Sequence, residues 1–106
     1  MNTIYLSFVW HMHQPYYKNL YTGEYLLPWV LLHGTKDYFD MPYILKEFSG
    51  IKQNYNLAPS LLIQLQDYEE PNIKDRCLDI SKKPANDLTD SEKIYLLMNF
   101  FNAHWD

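Results

Sequence analysis

The sequence predicts an α/β fold that opens with a β-α-β unit. Three observations carry this. Residues 3–12 form an apolar run that reads as a strand covered on both faces. Tyr38, Met41, Leu45 and Phe48 are spaced 3, 4 and 3, which makes one stripe of a helix. A second apolar run, Leu57 to Gln66, alternates like a strand. Strand, crossover helix and strand form a right-handed unit whose two strands are parallel.

In the first strand, Ile4, Leu6, Phe8, Trp10 and Met12 point one way, and Tyr5, Ser7, Val9, His11 and His13 the other. Gln14 follows, and Pro15 ends the ladder by removing a backbone donor. A buried strand that finishes in polar side chains delivers a site. Residues 13–35 are a long connection punctuated by Pro15, Gly23, Pro28 and Gly34, yet rich in Tyr16, Tyr17, Tyr21, Tyr25 and Trp29. Long ordered connections are usually functional. In the helix, Ile44 lies beside the stripe. Pro42 belongs in a first turn, which places Asp40 near the N-cap, and Ser49-Gly50 ends the helix. In the second strand, Leu61, Ile63 and Leu65 take one face, and Leu62, Gln64 and Gln66 the other. His11, His13, Gln64 and Gln66 then all fall at carboxyl ends, where α/β sheets and barrels carry their ligand sites.

Residues 67–88 are polar and broken by Pro71 and Pro84, with room for a short helix over Ile73–Ile80. Thr89-Asp90-Ser91-Glu92 fits a capping box. A helix of about 14 residues follows, with Ile94, Leu97, Met98 and Phe101 on its stripe. One parallel strand pair leaves two open edges and half-covered faces, so the expectation is the first part of a larger domain, with self-association through the open edges.

Composition excludes more than it selects. A hydrophobic share of 47 %, with ten tyrosines, is too much buriable surface for a disordered chain. The net charge of -4 comes from thirteen acidic against nine scattered basic residues, which disfavours nucleic acid as a partner. The single Cys77 makes no internal disulfide. No basic leader precedes the first apolar run, that run contains Ser7 and His11, and no segment approaches bilayer length. The expectation is a cytoplasmic protein without membrane contact.

Several residue sets admit two interpretations. His11 and His13 lie two apart on one strand face, which can chelate a metal if His33 or Asp37 supplies a third ligand. Otherwise His11 is a packed histidine bonded to a carbonyl. The aromatic residues of the 16–29 connection either stack on a ligand or roof the core. Lys36-Asp37 is expected as a first-turn ion pair of little worth. Asp67, Glu69 and Glu70, just after the second strand, either serve catalysis and raise one another's pKa or form a solvated loop ended by Pro71. Cys77 is expected as a partly buried apolar side chain.

His13-Gln14-Pro15 at the end of a first strand resembles the opening motif of glycoside hydrolase family 57, the α-amylase, amylopullulanase and 4-α-glucanotransferase type. Leu27-Pro28-Trp29, Leu32-His33-Gly34-Thr35-Lys36-Asp37-Tyr38 and Asp40-Met41-Pro42 are similar to the segment that follows in that family, and Pro59-Ser60-Leu61-Leu62-Ile63-Gln64-Leu65 to its second strand. The resemblance implies the first βαβ part of a (β/α)7 barrel, an incomplete TIM-like barrel, and a retaining mechanism on α-glucans such as starch and maltooligosaccharides. Such a mechanism needs two carboxyls about 5 Å apart. In the family these come from later strands, in motifs of the Glu-x-Phe-Gly-His and Ser-Asp-Trp kinds, which this sequence lacks. No catalytic residue is therefore assigned, and the chain alone is expected to be inactive. The resemblance carries over His13 as a polar contact to the sugar, with Gln14 and Trp29 shaping its pocket, and implies neither metal nor cofactor. The alternatives are a glucan-binding fragment without turnover and a His-x-His metal-dependent barrel of the polysaccharide deacetylase type.

Overall fold

A computed structural model describes residues 2–101. The first ladder forms between β1 (Val9–Met12) and β3 (Asn54–Leu57), which run parallel with Val9 opposite Asn54 and Met12 opposite Leu57. Asn54 N–H to Phe8 O at 3.2 Å and Ala58 N–H to Met12 O at 3.0 Å close its two ends. Of the strand expected over 3–12, only the last four residues pair, because a ladder is as long as its partner. The apolar residues before it stay open: Ile4 is 92 % exposed and Leu6 79 %.

The expected second strand is corrected. Leu57–Gln66 is not a strand: β3 ends at Leu57, and Pro59–Asp67 is a helix, α3. Pro59 sits in the first turn, where a missing N–H costs nothing, and Ala58 before it is extended at φ -67, ψ 138. Ser60, Gln64 and Leu61, Leu65, Tyr68 are helical neighbours, and Leu61 and Gln64 are fully buried. The true strand, Asn54-Tyr55-Asn56-Leu57, is half asparagine and has little β-propensity of its own. It is held by β1 rather than by its own side chains. Gln64 and Gln66 therefore do not sit at a strand end.

Between the strands lie α1 (Trp29–Thr35) and α2 (Asp37–Ile44), broken at Lys36 (φ -127, ψ -84). The helix starts at Asp37, so Asp40 is inside it rather than at its N-cap, and Pro42 lies past the first turn. Pro42 offers no N–H to the preceding turn. The helix stops at Ile44 and tightens into a 3-10 turn, Leu45–Glu47. Tyr38 and Met41 pack on the core, whereas Ile44 and Phe48 remain exposed. The core is Met12, Val30 and Leu61, ringed by Tyr17, Tyr38, Met41, Tyr55, Leu65 and Tyr68. A Cβ on Gly34 would stand 2.7 Å from Leu65 Cδ2, so α1 and α3 meet where only glycine fits without a shift.

A second parallel pair joins β2 (Glu24–Tyr25) to β4 (Lys74–Asp75). Asn19 Oδ1 accepts from Tyr21 N–H and Thr22 N–H, and Gly23 takes φ 70, which turns the chain into β2. Asp75 then caps α4 (Arg76–Ser81) by accepting from Leu78 N–H at 3.0 Å. The expected Thr89 capping box is present at the head of α5 (Asp90–Asn99). Lys83 beside Glu92 holds that carboxyl down at about 2. The helix ends sooner than the sequence pattern implies, and the last residues of the expected span lie outside the described ones. The Arg76 guanidinium stacks on Tyr95, 4.5 Å from its ring centre, linking α4 to α5.

Candidate functional site

The carboxyl end of β1 is where polar chemistry gathers. His11 and His13 share one face, as the strand period requires, and their rings lie parallel, 5.7 Å apart. Both are exposed. His11 is not packed as expected. Its Nδ1 lies 2.6 Å from Asn56 Oδ1 across the ladder, and because an amide oxygen only accepts, Nδ1–H is the donor.

After His13 the chain turns away from β1 and is gripped on both sides. Tyr38 OH donates to His13 O at 3.2 Å and accepts from Gln14 Nε2 at 2.9 Å. Tyr17 OH donates to Gln14 Oε1 at 3.0 Å. Burial, with Tyr38 close by, raises the Tyr17 hydroxyl, so it stays a neutral donor across the physiological range. On the α3 side, Ser60 Oγ donates to Gln14 O at 3.1 Å, and Gln64 binds the backbone at both Pro15 and Tyr17. Gln14 thus contributes by being held between two tyrosines.

Trp29 opens α1 and is half-buried. It does not touch His13 directly. Its ring tilts on His33 at 6.2 Å, and His33 on Tyr38 at 6.0 Å, so Trp29, His33, Tyr38 and Gln14 form a continuous band ending at His13. The His33 Nδ1–H donates to Asp37 Oδ2 at 2.5 Å. Asp37 therefore pairs with His33, and the expected Lys36-Asp37 pair is not the one formed. Trp29 also borders a cavity of about 410 Å³ shared with Leu32, Cys77, Leu78 and Phe100. Cys77 is half-buried there, and that burial pushes its thiol up, away from the reactive thiolate.

The acidic group after α3 departs from expectation. Asp67 accepts from Lys18 Nζ at 2.7 Å and from Tyr25 OH at 3.0 Å. The Lys18 hydrogen bond holds its carboxyl below the usual range against the opposing pull of burial, so no mutual raising by neighbouring acids governs it. Burial, then Asp67, raises the Tyr25 hydroxyl, and Tyr25 is core, its ring tilted against Tyr68 with centres 4.9 Å apart. Of the aromatic residues in the long connection, Tyr17 and Tyr25 are structural, whereas Tyr21 is fully exposed. Among the described residues no group of three or more His, Cys, Asp or Glu side chains comes together to hold a metal.

The sequence singles out His13, Gln14 and Trp29 but not the hydroxyls of Tyr38, Tyr17 and Ser60, which hold His13 and Gln14. Tyr38 is legible in the sequence as a helix-stripe residue and as the end of a family-like segment, with no sign of what its hydroxyl binds. Its hydroxyl role depends on how α2 meets the turn after β1.

A parallel strand pair whose first strand runs into a braced histidine turn, with helices packed on it, defines a small α/β fold. The chain matches the family described as Glycosyl hydrolase family 57 over residues 7–105, and it belongs to that family. It is therefore a glycoside hydrolase sequence, and its substrate class is carbohydrate. No curated protein and no solved structure matches it.

Proposed function

We propose that this chain forms the opening β-α-β part of a (β/α)7 barrel that acts on α-glucans, and that it supplies the barrel's sugar-contact side rather than its catalytic carboxylates. The observation that carries this is the braced His13-Gln14-Pro15 turn at the carboxyl end of parallel β1, within a chain of this family. His13 presents its exposed imidazole to a sugar hydroxyl. Gln14, locked by Tyr17 and Tyr38, fixes the turn behind it. Trp29 offers a ring face at the far end of the band. A retaining mechanism needs two carboxyls about 5 Å apart. No Asp or Glu here carries the family's catalytic motifs, and Asp67 is committed to Lys18 and Tyr25. The chain by itself binds maltooligosaccharides weakly and does not cleave or transfer them.

Tryptophan fluorescence of the purified 106-residue chain, titrated with maltoheptaose, tests the binding half. A saturable change in the millimolar range is expected, lost in His13→Ala and reduced in Trp29→Phe. No change in the wild-type chain would remove the sugar-contact assignment. A reducing-end assay on the same samples tests the other half: measurable hydrolysis or transfer by this chain would show that its own carboxylates suffice.

A further inference from the structure

Gln64 and Asp75 are the two buried polar side chains among the described residues. Asp75 is accounted for by the α4 cap and by Tyr68 OH, which donates to it at 2.5 Å. Gln64 lies on α3, on the same stripe as Leu61 and Leu65, where a leucine or methionine would fill the space as well as an amide does. The surrounding apolar packing does not call for a polar group there. The turn after β1 does.

Gln64 Oε1 accepts from Tyr17 N–H at 2.8 Å, and its Nε2 donates to Pro15 O at 2.9 Å and Ser60 O at 2.8 Å. Two residues apart, a carbonyl and an N–H of the same segment are thus satisfied by a single side chain, as a neighbouring strand would satisfy them. The β1 ladder ends at Met12, so past it a side chain rather than a strand serves these backbone groups. Ser60, one helical turn before Gln64, donates to Gln14 O.

From these contacts we infer that Gln64, assisted by Ser60, is a positioning residue that fixes the backbone of residues 14–17 and thereby aims the His13 imidazole at the carboxyl end of β1. The inference rests on the sugar-contact role proposed for His13. Without the amide, Tyr17 N–H and Pro15 O lose their partners, and the turn keeps the Tyr38, Tyr17 and Ser60 hydroxyls.

The test compares the wild-type chain with Gln64→Met, which keeps volume, and Ser60→Ala, which removes only the Gln14 contact. Three quantities are read by NMR: amide exchange at Tyr17, the His13 ring resonance, and maltotriose affinity from resonance shifts. In Gln64→Met, Tyr17 exchange accelerates about tenfold or more, as loss of one hydrogen bond implies. The His13 ring resonance moves toward that of an unconstrained histidine, and maltotriose affinity falls about tenfold. Amides of the β1–β3 ladder keep their protection. Ser60→Ala gives smaller changes in the same direction. A folded Gln64→Met chain with wild-type Tyr17 exchange and an unmoved His13 resonance overturns the inference. Should Gln64→Met fail to fold, Ser60→Ala decides: an unmoved His13 resonance there overturns it equally. If the turn loosens in the variants but the wild-type chain shows no maltotriose shift at millimolar ligand, the positioning of the turn stands and the sugar role of His13 falls.

Discussion

Asp67 shows how one side chain can look catalytic and be structural. With Glu69 and Glu70 it makes an acidic group of the kind that follows a strand in many barrels. In the fold it ties the 13–35 connection to α3 through Lys18 and Tyr25. Its carboxyl is held below the usual range by Lys18, so the folded state favours the ionised form. The stability it confers is complete above the ordinary carboxylate value of about 3.9 and is lost as pH falls through its lower folded value. Asp67→Asn should cost about 1 kcal/mol at pH 7, modest because both ion-pair partners keep some solvent contact. The cost should shrink toward pH 2–3 (roughly the range below the carboxylate value), as read from urea midpoints at the two pH values. An equal cost at both would assign the loss to packing instead. His13 stood out in sequence because a strand that ends in polar residues is unusual. Tyr38 did not, because a tyrosine on an apolar stripe reads as core until the turn that meets its hydroxyl is placed.

At the scale of elements, the helices were easier to foresee than the strands. Thr89 and Glu92 mark the start of α5 by a local code, and the capping box forms as written. Thr89→Ala should cost about 1 kcal/mol and Thr89→Ser nearly nothing, measured by urea unfolding followed at the helix signal. Equal losses in both would mean that the hydroxyl does not cap. The second strand was misplaced because Leu57–Gln66 fits two periods. Leu61, Ile63 and Leu65 alternate like a strand, while Leu61, Gln64, Leu65 and Tyr68 follow a helix. Pro59 and the exposure of Ile63 side with the helix. The strand that forms instead, Asn54–Leu57, has no intrinsic signal, since a four-residue ladder beside β1 supplies its order. The parallel pairing survived this shift, because it follows from the crossover rather than from the exact residues of the partner. Leu61→Ala, at the centre of α3's buried face, should cost about 2–5 kcal/mol and abolish the cooperative transition of so small a core.

The whole molecule is extended, with a radius of gyration of 18.3 Å and dimensions of 69 × 33 × 23 Å. A compact domain of this length would have a radius of about 13 Å. Among the described residues the buried apolar ones are few (Met12, Tyr25, Val30, Leu61 and Ile80), while Val9, Leu57, Leu97 and Phe101 face outward. Strand β1 shows apolar side chains on both faces, as a strand does that is made to be covered twice. The isolated chain should therefore be marginally stable, bind a hydrophobic dye and associate as its concentration rises. Sedimentation velocity over a concentration series reads this, and a concentration-independent monomer with a high, cooperative melting transition would contradict it. No helix of the described residues is long and apolar enough to cross a membrane.

The central claim is that His13, not His11, meets the sugar. The most direct test follows both imidazole resonances by NMR while the wild-type chain is titrated with maltotriose. The account predicts a saturable shift of the His13 ring, a smaller shift of the Trp29 indole, and a His11 ring that stays bound to Asn56 and does not move. A shift at His11 alone, or none at either ring at millimolar maltotriose, would contradict it.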